Sequence, residues 1–208
     1  MQRQPLEFVE LISCWQKMPR NAGEAPRKTT FSPKNLGRIM PFLFLIERQA
    51  DDALTIRLKG SELDVNTGRA ASGETVFDTL IHRDWNFYKR FLRRCADAIC
   101  GGHLELSIAM RGGLINNVEV LHVPLADKNG SARYMLGVMI SRPERRDEGD
   151  SSQKSRTPVL PILKYQYLDL GCGIPEEVTV LKPALMAARS GTGAKRIAAS
   201  GGTACHLI

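Results

Sequence analysis

Apolar residues recur at helical spacing over 5–18, at Leu6, Val9, Leu11 or Ile12, Trp15 and Met18, which predicts an amphipathic helix ended by Pro19. A polar stretch with Pro26 follows, and Ser32 with Pro33 at the first helical position opens a short helix. Two apolar runs, 42–47 and 54–58, flank Gln49, Ala50, Asp51 and Asp52 and read as an antiparallel hairpin. The segment 61–80 has room for two short helical pieces, the first closed by Gly68. Asp84 caps a longer helix that Gly101 and Gly102 stop; Trp85, Tyr88, Phe91, Leu92, Cys95 and Ile99 share one face, and Lys89, Arg90, Arg93 and Arg94 the other.

The period then changes from 3.6 to 2. Leu104, Leu106, Ile108 and Met110 alternate with His103, Glu105, Ser107 and Ala109, and Gly112 with Gly113 suits a hairpin turn into a second strand over 117–125. A turn at 127–130 leads to a third strand over 134–140. Hairpin, helices and three-strand meander together predict an α+β fold, an antiparallel sheet with helices on one face. The division expected is an N-terminal helix and connector over 1–30, a domain over 31–142, a charged linker over 143–158 and an extension over 159–208. That extension holds an apolar patch over 159–170 and a flexible end rich in Gly, Ala and Ser.

Composition narrows the class. A chain of 208 residues, 43% hydrophobic, can bury an ordinary core, and no apolar run reaches the length that spans a bilayer, so a cytoplasmic protein without membrane association is expected. Five scattered cysteines (Cys14, Cys95, Cys100, Cys172, Cys205) without a CxxC speak against a disulfide framework or a zinc site. The net charge of +7 favours acidic partners without naming one.

The chemical motifs fail their spacing tests. After Gly68 comes Arg69 where a phosphate loop needs lysine, and "DVNTGR" lacks the glycine and distal glutamate of a calcium loop. The four histidines never pair at i+3 or i+4; His82 is read as a loop residue and His122 as a strand residue at the surface or core edge. No residue pattern points to catalysis. The basic face of Lys89, Arg90, Arg93 and Arg94 supplies the alternative reading, a nucleic-acid-associated protein using the helix 84–100, although a solvated face explains the same residues. The apolar stripe of the first helix can cover its own sheet or pair with a second copy, with Leu11 and Trp15 as the candidate dimer seam.

Four pieces together resemble the PAS fold, and more narrowly a bacterial family of short PAS-like proteins with an N-terminal tryptophan helix: Trp15; "FSPKNLGRIMPFLFLIE" (31–47); "IRLKGSELDVNTGRAASGETVFD" (56–78); and "VEVLHVPLADKNGSARYMLGVMI" (118–140). The resemblance covers about 6–142. It implies a five-stranded antiparallel sheet with helices on one face, and a sensory or regulatory module in bacterial signal transduction that binds a small molecule or a signalling-protein partner, without catalysis. The cofactor is unknown: covalent flavin binding uses an Asn-Cys-Arg context absent here, and for haem only His82 offers a histidine. A cavity between the glycine-hinged arch and the sheet would be lined by Arg57, Arg69, Trp85 and Glu119. Each also has a structural reading, Arg57 and Glu119 as a cross-strand ion pair among them.

Overall fold

The computed structural model describes residues 4–63, 84–109, 115–142 and 162–176. The expected linker, the arch with Gly68 and Gly73, and the end of the extension lie outside these. Helix α1 (Leu6–Lys17) is followed by short 3-10 segments, the second at Pro33–Phe42, and by the hairpin β1 (Leu43–Arg48) and β2 (Leu54–Lys59). Helix α2 (Trp85–Asp97) then leads to β3 (Gly101–Ala109), β4 (Ile115–Leu125), β5 (Tyr134–Arg142) and β6 (Ile162–Leu168). All pairings within the sheet are antiparallel, in the order β2-β1-β5-β4-β3-β6.

Two features correct the expectation from sequence. The sheet has six strands, not five, because Ile162–Leu168, within the apolar patch of the extension, pairs with the edge of β3. Its side chains continue the core: Tyr165 and Tyr167 meet Phe87 and Phe91 of α2, and the Ile162 amide donates to Asp84 at the start of that helix (3.1 Å). Helices also cover both faces, not one. Strand alternation divides the apolar residues of β4, so that Val118 and Val120 pack with α2 while Leu121, Val123 and Leu125 pack with α1.

Each helix buries a stripe with the period of the α-helix. On α2 it is Tyr88, Phe91, Leu92, Cys95 and Ala96. On α1 it is Phe8, Leu11 and Trp15, continued by Met18, whereas Leu6 and Val9, read from sequence as part of the stripe, are 55% and 47% exposed. Leu11 and Trp15 are 0% exposed within their own chain, so the surface they were to offer a second copy is already covered. The Trp15 indole N–H donates to the Pro124 carbonyl of β4 (2.6 Å), and the Arg20 guanidinium lies 4.3 Å over the indole while donating to the Trp15 carbonyl. The helix is thereby fastened to the sheet at a fixed register.

Glycines act through close approach. A Cβ on Gly60, the residue after β2, would collide with the Pro41 carbonyl. Gly101 and Gly102 are strand residues and not the helix stop: α2 ends at Asp97 with Ala98 as its C-cap, and Ile99 takes the left-handed conformation (φ 51).

Candidate functional site

The polar centre of the α2 face is His122. It stands in the even register of β4 behind Val118 and Val120, so it points at α2, and it is 0% exposed. Its two cross-strand neighbours are both glycines, Gly102 on β3 and Gly137 on β5. A Cβ on Gly102 would sit 2.6 Å from the Phe91 ring and 2.7 Å from Cys95 Sγ, and one on Gly137 would enter the Phe44 ring. The glycines therefore let Phe91 and Phe44 lie on the sheet at either side of the imidazole.

Phe44 and Tyr88 meet the His122 ring edge to face, with centroids 5.4 and 5.7 Å away. The Tyr88 hydroxyl and His122 Nε2 are 2.9 Å apart. Burial pushes His122 down to about 3; the Gly102 backbone opposes this and His103 adds to it. Burial, with Cys95 nearby, raises the Tyr88 hydroxyl well above its ordinary range. At neutral pH the pair is thus an uncharged imidazole and an uncharged phenol joined by one hydrogen bond, whose proton either the hydroxyl or Nε2 supplies. Whichever atom carries that proton, Nδ1 has no hydrogen-bond partner, the one such buried side-chain atom among the described residues.

The candidates drawn from sequence do not converge there. Trp85 opens α2, half-buried, and stacks on Tyr88 with centroids 5.7 Å apart, which puts it beside the pair. Arg57 lies on β2 and pairs with Glu47 of β1 (2.5 Å), a carboxylate that Arg133 also reaches (3.0 Å). Burial pushes the Glu47 carboxyl up, but the Arg57 hydrogen bond and charge, with Arg133 and Tyr134, outweigh it and hold it below the ordinary range. Glu119 points to the α1 face, 3.2 Å from His103. An Arg57–Glu119 cross-strand pair is excluded, since β1 and β5 separate β2 from β4. Arg69 and His82 lie outside the described residues.

Sequence reasoning placed His122 at the surface or core edge. The signal available was its alternation with Val118 and Val120, but β4 is apolar on both faces, so alternation alone did not say that the histidine was enclosed. The basic face of α2 is also partly committed: Arg93 pairs with Asp52, and Arg94 donates to the Tyr167 hydroxyl. Among the described residues no cluster of three metal-ligating side chains occurs, and no helix is long and apolar enough to cross a membrane.

A family model for the PAS domain matches residues 3–140, about two thirds of the chain. This chain belongs to the PAS domain family. PAS domains are generally sensory or regulatory modules, and the match spans α1 and five of the six strands. Among solved structures, this PAS domain is similar to the PAS domain of a protein from Colwellia psychrerythraea, with 16% identity, a TM-score of 0.43, and coverage of 54% of this chain and 98% of that one. It is also similar to a light-oxygen-voltage domain studied with a flavin analogue (16% identity, TM-score 0.43, 53% of this chain and 84% of that one). A fungal light-oxygen-voltage photoreceptor domain gives 18% identity and a TM-score of 0.38 over 48% of this chain and 73% of that one. No curated protein sequence matches the chain. The sixth strand lies beyond the residues that the family model matches.

Proposed function

We propose that this PAS domain is a cytoplasmic, non-catalytic signal-transduction module that takes a small molecule on the α2 face of its sheet and reports it through α1. The observation that carries the reading is the unpartnered Nδ1 of His122 in an otherwise aromatic and aliphatic core. A buried polar atom without a partner costs about 1–3 kcal/mol, and a guest with one complementary hydrogen-bonding group would remove that cost. Apolar and aromatic walls with one placed polar atom are what small-molecule sites use to fix orientation.

The route outward is a single strand. His122 of β4 faces the guest, Leu121 and Val123 face α1, and Pro124 holds the Trp15 indole. A guest that binds one arrangement of β4 better than another shifts the population of that arrangement, and α1, fastened two residues from His122, follows.

The test is native mass spectrometry of the freshly purified full chain and of His122→Leu. The expected result is a retained small-molecule adduct on the wild-type chain that falls about tenfold in the variant, the worth of one hydrogen bond to a buried group, with Trp15 fluorescence showing the variant folded. A bare wild-type mass, or an adduct that the folded variant keeps undiminished, overturns the reading.

A further inference from the structure

Helix α2 ends in a way that brings two thiols together. The Cys100 amide donates to the Cys95 carbonyl (3.0 Å) and the Ile99 amide to the Ala96 carbonyl (3.4 Å), the paired bonds of a Schellman cap with Ile99 as its left-handed residue. In that motif the side chains at the two ends of the longer bond face each other; here both are cysteines, buried, free and hydrogen-bonded thiol to thiol. The left-handed position is ordinarily glycine, and a β-branched residue there is an outlier. Ile99 packs against the α1-side core, whereas Cys95 and Cys100 belong to the α2-side core, so this cap joins the two faces of the sheet at a strained point.

We propose that Cys95 and Cys100 are an oxidisable dithiol, converted by peroxide into an intramolecular disulfide that locks the cap of α2. The hydrogen bond from Cys95 holds the Cys100 thiol below its ordinary range despite burial, which makes Cys100 the attacking group; burial and the same contact keep the Cys95 thiol well above its own. Peroxide reaches Cys100 when the end of the helix opens locally. The Cys100 thiolate, its proton given to solvent, attacks one peroxide oxygen and the O–O bond breaks; the hydroxide released takes up a proton as the first water. Cys95 then loses its proton and attacks the sulfenic sulfur; the S–S bond forms, the S–O bond breaks, and the second water leaves. Two thiols lose two electrons and two protons, and one peroxide becomes two waters.

Cleavage after Arg94 and Arg111 releases both cysteines in one peptide, 95–111, which holds no other. The folded full chain is treated with hydrogen peroxide, unfolded with an alkylating agent present, digested and weighed. The expected result is a 95–111 peptide that has lost both alkyl groups and is two hydrogens lighter, Met110 sulfoxide aside, with double alkylation restored by dithiothreitol. In Cys100→Ser the same treatment leaves Cys95 alkylated. A wild-type peptide that keeps both alkyl groups at peroxide levels that oxidise the exposed Cys172 overturns the proposal. So does recovery of Cys100 as a sulfinic acid, or linkage of either thiol to Cys14.

Discussion

The two faces of this sheet are closed by the same strands and built to different rules. On the α1 face the buried polar groups are paired: the Trp15 indole bonds to Pro124, Glu47 meets Arg57 and Arg133, Glu119 meets His103, and Ser107 donates to Asn117. On the α2 face the polar group is in the middle: His122 and Tyr88 sit among Phe44, Phe91 and Val120, and two glycines are needed to fit them. A face that only has to hold a helix can be finished with hydrocarbon and with polar groups that are each paired, and this one is. A face with a buried hydrogen-bonding atom left open carries a cost that stability alone does not explain.

Substitutions separate the two rules. Trp15→Ala, on the closed face, empties the largest fully buried side chain and orphans the Pro124 carbonyl; we expect a loss of about 4 kcal/mol in chemical denaturation. A loss below about 1 kcal/mol would mean that α1 is not held by this face. Gly137→Ala overpacks the other face against Phe44, and its expected cost is smaller, about 2 kcal/mol, in the same assay. It would also loosen His122, so any adduct seen by native mass spectrometry should weaken, while Trp15→Phe, which leaves the α2 face alone, should keep it. Val9→Ser, on the exposed side of α1, should change stability by less than about 0.5 kcal/mol, and a larger effect would reveal a partner that covers this side.

Much of the frame was legible because each piece depends on local period. The stripe 88, 91, 92 and 95 of α2, the alternation of β3 and the two hairpins follow from side-chain spacing alone. What period cannot report is which layer an element joins. It found a stripe on α1 without showing that the stripe takes the face opposite α2, and Leu11 and Trp15 read equally well as a seam for a second copy. The sixth strand was hidden for a related reason: the charged stretch 143–158 separates it from the meander, and its irregular burial, with a register shift opposite Glu105 and Leu106, blurs the alternation.

The candidate site was less legible than the frame. Arg57 and Glu119 drew attention as charges within apolar strands, yet strand order gives each a nearer partner and puts Glu119 on the face away from His122. Trp85 is the candidate that comes to lie beside Tyr88. His122 is explained by what flanks it in space, Gly102 and Gly137, which lie 20 and 15 residues away in the chain and become neighbours only once β3, β4 and β5 pair.

The histidine ring itself provides the most direct test, followed by NMR in protein labelled with 15N at histidine while the pH is lowered. With a pKa of about 3 against an ordinary 6.5, His122 lends the fold stability that is present above about 6.5 and is lost as the pH falls from there towards 3. The account predicts that the His122 nitrogens keep the pattern of a neutral ring down to pH 4 in the folded chain, with no titration step near 6.5. A His122 signal that titrates at 6.5 while the protein stays folded would contradict it, because the ring would then be in contact with water and no sealed polar centre would exist on the α2 face.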